Sequence, residues 1–418
     1  MYEQRTPRPV HPPLPAPLRT VTGPVPAARV RGPVLAHEHL ALDLSHGGDA
    51  AAVLDGRHRA AVSAELAVLR EEFGLSLVVE LTCRGMGRDL RALARMSRKS
   101  GVAVVAGTGW YYERFHPAEA ATADASELAE SLIREIEAGT GVGSGTDRGT
   151  GTDRGTGTDR GTGAADGRTE SGADGADHAG ADGQSCGTGI GPGVIGEAGS
   201  HGDVPTGQEV RTLTAAALAA RATGLSVATH AQLGRGGAAQ LELLTGAGLP
   251  PHRVSIGHQD LLDDHGVHRE LAAAGAYVAF DTVGKEHYRS DDARLRLLLT
   301  LLEAGHADRA LLSCDISRHA YLRSEGGTGY GHLFRSFLPR LRAAGADDDL
   351  VDLLTRRNPL RFLTGGDADG KERDEERDGA RDEEAPRGGR AGRGGADGEE
   401  ARDAPARRTA GTRRTEGP

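Results

Sequence analysis

Eight short apolar runs, separated by helical patterns, constrain the fold more than any other feature of this chain. They are "PVLAHEH" at 33–39, "LSLVVELT" at 75–82, "VAVVAG" at 102–107, "GVIGE" at 193–197, "LSVATH" at 225–230, "RVSIGH" at 253–258, "AYVAF" at 276–280 and "ALLSCD" at 310–315. Near-continuous hydrophobicity over so few residues is what a strand covered on both faces requires. Between the runs lie amphipathic patterns such as "AAVSAELAVLREEF" at 60–73, "ASELAESLIREIEAG" at 125–139 and "GAAQLELLTGAG" at 237–248, with leucines recurring at helical spacing. Gly74, Gly101, Gly224 and Gly275 precede the next run, where a left-handed helix cap favours glycine. Strand alternating with helix eight times implies a parallel sheet with crossovers, and a closed (β/α)8 TIM barrel of class α/β is the expected architecture. The rival is an open doubly wound sheet, which normally carries a glycine-rich turn after its first strand. Leu40 to Leu44 contain no glycine.

Composition trims the 418 residues to one such core. Residues 1–18 are rich in proline and read as a disordered arm, because proline lacks the backbone donor that regular structure uses. Residues 139–192 contain "TDRGTG" in near-repeat and then Gly, Ala and Asp, with almost nothing large and apolar to bury. They are expected to form a low-complexity insertion within the barrel. The tail 365–418 is mixed charge with Gly and Ala, and is likewise expected to be disordered. That leaves 19–364 as the barrel domain.

No stretch has the apolar length of a signal sequence or a membrane span, so a soluble, cytoplasmic protein is expected. Cys83, Cys186 and Cys314 are an odd set without CxxC spacing, which fits a reducing compartment and indicates neither a disulfide framework nor a cysteine zinc cluster. A net charge of -10 argues against a nucleic-acid-binding surface. "APRGGRAGRGG" at 385–395 could bind single strands, but stacking aromatics are absent and acidic residues surround it.

In a barrel of this type the active site gathers at the C-terminal ends of the strands. The first run ends in His37 and His39, which share one face of a strand while Glu38 takes the other. The fourth run ends in Glu197, the fifth in His230, the sixth in His258 and the eighth in Asp315. Leaving so many polar groups crowded and unsatisfied would cost about 1–3 kcal/mol for each. Cations remove that penalty. Mixed nitrogen and oxygen ligands suit zinc, with manganese, cobalt or iron also compatible, and the size of the set points to two divalent ions about 3.5–4 Å apart.

These residues fall in longer motifs that resemble the phosphotriesterase family of the amidohydrolase superfamily, and within it the branch of phosphotriesterase homology proteins. The resemblance covers about residues 19 to 363. It is carried by "RTVTGPVPAARVRGPVLAHEHL", "GTGWYYERFHP", "GVIGEAGS", "VSIGHQD", "AYVAFDTVGK", "LLSCDISR", "GGTGYGHLFRSFLPRLRAAG" and "RRNPLRFL". It implies that His37, His39 and Asp315 bind the more buried metal, that His230 and His258 bind the more exposed one, and that Glu197 bridges both. Many members carry a carbamylated lysine there instead, so organophosphate activity does not follow.

The implied chemistry is attack by a metal-bridging hydroxide on a lactone, carboxylic ester, amide or phosphoester, in that order of expectation, with Asp315 as the catalytic base. Tyr111 matches a family tyrosine beside the metals and could orient substrate, or pack as a plain anchor. Lys285 and Arg318 could hold an anionic part of a small-molecule substrate, although a solvated surface charge is the commoner case. His201 lies near the expected mouth without an assigned role, and His252, His265, His268, His306 and His332 are read as surface histidines. The family is often dimeric, so a homodimer is compatible with the resemblance. The alternatives are a mononuclear hydrolase and a catalytically idle barrel that binds partners through its Arg-Gly tail.

Overall fold

The computed structural model describes residues 16–139 and 191–366. The expected arm up to residue 15, most of the low-complexity segment with Cys186, and the tail from residue 367 with its Arg-Gly stretch lie outside the described residues.

All eight apolar runs form strands: β1 (Val34–Glu38), β2 (Leu77–Glu80), β3 (Ala103–Thr108), β4 (Val194–Ser200), β5 (Val227–Ala231), β6 (Val254–Ile256), β7 (Tyr277–Phe280) and β8 (Ala310–Leu312). They lie in sequence order in one eight-stranded sheet, and each paired neighbour is parallel. Helices α1 (Arg59–Phe73), α2 (Leu90–Ser100), α3 (Ala125–Ala138), α4 (Gly207–Thr223), α5 (Gly237–Gly246), α6 (His265–Ala273) and α7 (Asp291–Glu303) connect them. The fold is a (β/α)8 barrel. Capping boxes at Asp124/Glu127 and Thr206/Glu209 start α3 and α4. Gly74, Gly101 and Gly224 each close a helix in the left-handed conformation, which only glycine adopts without a Cβ penalty.

The period of two along the strands sorts the core into two layers. Leu35, Val78, Val104, Ile195, Val227, Ile256, Val278 and Leu312 pack with apolar residues of the helices. Val34, Ala36, Leu77, Val79, Val105, Val194, Ala228, Ala279 and Leu311 form a second group that contains no residue of α1 to α7, as expected of a barrel interior. That inner group includes Leu18, Ala27 and Val30 from the N-terminal region and Leu360, Phe362 and Leu363 from the helix Asn358–Thr364. Leu18, the last position of the expected arm, is therefore buried, and it opens the hairpin strand Leu18–Thr20 that pairs with Gly23–Val25.

The seam between β1 and β8 is closed through side chains. Glu38 is fully buried. Its carboxylate accepts from Ser313 Oγ at 2.7 Å, Cys314 N at 2.8 Å and Ile316 N at 2.9 Å. Ser313 Oγ in turn accepts from His37 N at 3.0 Å, and Asp315 N donates to His37 O at 3.2 Å. The residue between the two histidines is thus the strut that joins the first strand to the segment after the last. Burial pushes its carboxyl up, and the three donors from Ile316, Ser313 and Cys314 pull it back, leaving it at about 7.

Candidate metal centre

Strict alternation would turn two of the polar residues away from the mouth, and local irregularities correct this. Val34 and Ala36 are inner-layer residues, so His37 would by parity face the helices. The β1–β2 register shifts between Leu35 and Glu38, and His37 swings inward. In β4 the register against β5 shifts between Ile195 and Ala198 and does the same for Glu197. The fourth strand does not end at Glu197 as its apolar run suggests. It continues to Ser200, and Glu197 leaves it at the irregularity. Gly196 makes this fit, since its φ is +145° and a Cβ there would lie 2.3 Å from Ala228 O. His230 lies within β5, while His258 and Asp315 lie just past β6 and β8. Both adopt left-handed φ, 57° and 48°, at a cost of roughly 1–2 kcal/mol each for a residue with a Cβ.

All six residues expected at the mouth come together around the Glu197 carboxylate, and all are buried. Glu197 Oε1 faces His39 Nε2 at 3.3 Å. Oε2 faces His37 Nε2 at 3.4 Å, His230 Nδ1 at 3.2 Å and His258 Nε2 at 3.6 Å. Asp315 Oδ1 lies 3.3 Å from His39 Nε2 and 3.9 Å from His37 Nε2. The opposite nitrogen of each ring is held elsewhere. His37 Nδ1 meets Asp281 Oδ2 at 2.7 Å, His258 Nδ1 meets Asp281 Oδ1 at 2.9 Å, His39 Nδ1 meets Thr82 Oγ1 at 2.9 Å, and His230 Nε2 meets Gln232 Oε1 at 2.9 Å. The Thr82 hydroxyl in turn donates a hydrogen bond to Glu80 Oε1, and that carboxylate is buried.

The donor set fits divalent cations. His37 Nε2 is buried and makes no hydrogen bond among the described residues, although it points at Glu197. Groups of ligand atoms close enough to share one ion include His37, His39 and Glu197, and separately Glu197, His230 and His258. Glu197 is common to both. Burial alone would disfavour charge on these side chains, but they counter one another. Asp281 and Glu197 raise His37 well above the usual histidine range, and Asp315 and Glu197 hold His39 at about 9. Asp281 and Glu197 hold His258 at about 10, whereas for His230 burial prevails and lowers it. Despite burial, Glu197 is held well below the usual carboxylate range by His37, His230 and His258. Such a cluster of mutually offsetting charges is what ligand atoms look like when protons stand where cations would bind.

The remaining expected residues line the same cleft, of about 230 Å³, with the site at its base. The Tyr111 hydroxyl lies 3.4 Å from His230 Nε2 and its ring 4.5 Å from the imidazole. Lys285 is not a solvated charge. It is only 6 % exposed, its ammonium pairs with Asp315 Oδ2 and reaches Ser317 Oγ at 3.1 Å, and it sits 5.2 Å from the ring centre of Tyr321. Burial opposes its charge, yet Asp315 outweighs this and raises it. Arg318 is partly exposed and pairs with Asp49 across the cleft.

The loop that carries Lys285 is fixed from below by Arg294, fully buried, which donates to Lys285 O at 3.1 Å, Thr282 Oγ1 at 3.0 Å and Asp260 Oδ2 at 2.7 Å. Exposed His201 lies beside Tyr112 at the rim. Of the five histidines expected at the surface, four are not exposed. His268 is 1 % exposed and bonded to Gln259 O, and His332 is half-buried against Asp291. His252 and His306 are also half-buried, and His265 is exposed.

Asp281 was not anticipated. It closes the seventh apolar run just as Asp315 closes the eighth, and that position was the available signal. Thr82 and Gln232 carried none, because a hydroxyl or amide near a strand end is ordinary.

The model of the Phosphotriesterase family matches residues 16–166 and 178–363. The chain belongs to the phosphotriesterase family. It is 33 % identical over 333 residues to the phosphotriesterase homology protein of Escherichia coli, covering 79 % of this chain and 98 % of that one. It is 29 % identical to the N-acetyltaurine hydrolase of Danio rerio, covering 73 % and 77 %. Among solved structures, a multiply substituted phosphotriesterase-like lactonase from Deinococcus radiodurans superposes with a TM-score of 0.65 at 30 % identity, over 83 % of this chain and 99 % of that one. Hydrolases of the phosphotriesterase family are metal-dependent, and this chain is a hydrolase of that kind. No helix among the described residues is long and apolar enough to cross a membrane.

Proposed function

We propose that the protein is a binuclear metal-dependent hydrolase, with His37, His39 and Asp315 holding one divalent ion, His230 and His258 the other, and Glu197 spanning both. One observation carries this reading: the buried Glu197 carboxylate is common to two groups of ligand atoms, each close enough to share one ion, with His37 and His39 in one and His230 and His258 in the other. Zinc suits these donors best, with manganese, cobalt or iron as alternatives. Bound as a pair, such ions supply an acidified water and polarise the oxygen of the scissile group.

The chain's own residues do the rest. Asp315 is placed to take the proton of the attacking water and return it to the leaving group, as a base within reach of the reacting atoms. Lys285, on the far oxygen of Asp315, keeps that carboxylate ionised and aimed. Lys285 and Arg318 line the cleft, each paired with a carboxylate, Asp315 and Asp49, and an acid group near the scissile bond of the substrate would exchange with Asp49 on the partly exposed Arg318. Tyr111 orients substrate from the His230 side.

The substrate class is a lactone, carboxylic ester or amide, with phosphoesters ranked last. The relatives named as a lactonase and as an N-acetyltaurine hydrolase support the first and third. The test is twofold. Metal analysis should find two ions per wild-type chain and one or none in Glu197→Ala. A panel of lactones, N-acyl amides and phosphoesters offered to zinc- and manganese-loaded protein should give turnover among the first two groups. A single ion per wild-type chain, or a silent panel, would sink the proposal.

A further inference from the structure

Asp281 lies directly after β7 and is 1 % exposed. Its two oxygens reach in two directions. Oδ2 accepts from His37 Nδ1 at 2.7 Å, and Oδ1 accepts from His258 Nδ1 and from the backbone N of His258, both at 2.9 Å. His37 belongs to one of the two cation sets and His258 to the other. The remaining imidazoles have private partners: Thr82 for His39, and Gln232, with Tyr111 further off, for His230.

We infer that Asp281 is a positioning residue shared by both metal positions, fixing the ring plane and the Nδ1–H tautomer of one histidine from each set, while Thr82 and Gln232 each serve one position only. The inference rests on the two-cation reading above. A histidine that donates Nδ1–H to a carboxylate has only Nε2 left as a lone-pair donor, and the Nε2 atoms of His37 and His258 lie 3.4 and 3.6 Å from Glu197 Oε2, that of His258 also meeting His230 Nδ1 at 2.8 Å. A neutral acceptor such as the Thr82 hydroxyl fixes one ring. A carboxylate with two free oxygens fixes two, and by spanning from β1 to the turn after β6 it ties together strands that are not neighbours in the sheet. Asp281, His37 and His258 could in principle hold an ion of their own, being within ligand distance of one another. The backbone N–H of His258 already occupies Oδ1, which marks this carboxylate as an acceptor of N–H bonds.

The test is equilibrium dialysis of the metal-freed full chain against zinc, resolving both dissociation constants, for the wild type and for Asp281→Asn, Thr82→Val and Gln232→Leu. Asp281→Asn should weaken both constants, each by about 10–100-fold, the range for losing a partner of a metal-bound histidine. Thr82→Val and Gln232→Leu should each weaken one constant and leave the other within about twofold of wild type. Nitrogen-15 spectra of histidine in the zinc-loaded wild type supply a reading that needs no variant to fold, and should show both His37 and His258 as Nδ1–H tautomers. Three ions per wild-type chain, an Nε2–H tautomer at either histidine, or an Asp281→Asn protein with one or both constants unchanged would overturn the inference while leaving two-ion binding intact. Fewer than two ions in the wild type would instead overturn the reading beneath it.

Discussion

At the scale of single residues, the buried histidines divide by what their second nitrogen meets. Each imidazole at the metal centre has a side-chain partner on both nitrogens, the Glu197 carboxylate on one side and Asp281, Thr82 or Gln232 on the other, whereas His268 faces only a backbone carbonyl through Nε2 and leaves Nδ1 buried without a partner among the described residues. Burial therefore lowers His268 to about 4. The sign of its effect on stability follows. Unfolded, this histidine titrates near 6.5, so between about 6.5 and about 4 the unfolded chain binds the proton more readily, and stability falls as the pH drops through that window. Denaturant midpoints of wild type and His268→Leu, compared at pH 7.5 and 4.5, should show a smaller acid loss in the variant. Equal losses would mean that the imidazole is not kept neutral. The spacing of histidines in the chain could not distinguish this one, because His268 and His265 sit in the same helix and only packing against Gln259 and Phe280 separates buried from exposed.

At the scale of elements, the seam of the barrel has a single carboxylate as its keystone. Glu38 receives one hydroxyl and two backbone donors from the segment after β8, and each stranded buried donor costs about 1–3 kcal/mol. Glu38→Ala is expected to lower the stability of the metal-free chain by on the order of 3 kcal/mol, and Glu38→Gln, which keeps one acceptor oxygen, by less. Urea unfolding of both variants checks this, and a loss below about 1 kcal/mol for the alanine would reassign the closure to the backbone alone. The apolar runs announced the strands because burial on both faces leaves a continuous signature. They did not announce the irregularities in β1 and β4, which depend on how a strand meets its neighbour and not on its own residues. The run that stops at Glu197 therefore suggests a terminus, whereas the strand passes through it to Ser200.

At the scale of the whole molecule, every residue of the cleft used above lies between His37 and Arg318, and the barrel is finished by the helix Asn358–Thr364. Asn358 donates to Ala307 O and Ala310 O, and Leu360, Phe362 and Leu363 complete the inner apolar layer. A chain ending at residue 370 should therefore keep its metal content and its hydrolytic rate within about twofold, whereas one ending at residue 357 should fail to fold, having lost several large buried side chains worth about 1.5–3 kcal/mol each. Metal analysis, turnover and circular dichroism of the two truncations decide this. Loss of activity in the longer one would give the mixed-charge tail a part in the reaction.

The amino-acid order by itself determined the barrel and the set of polar residues at its mouth. Both follow from local facts, an apolar period that repeats and a ligand-type residue where five of the eight runs stop. Only the tertiary structure decided which atoms of those residues face one another. Bulges in β1 and β4, left-handed turns at His258 and Asp315, the burial of Lys285 against Asp315 and the double grip of Asp281 all arise between strands distant in sequence, and hydrogen-bond geometry across such gaps leaves no pattern along the chain.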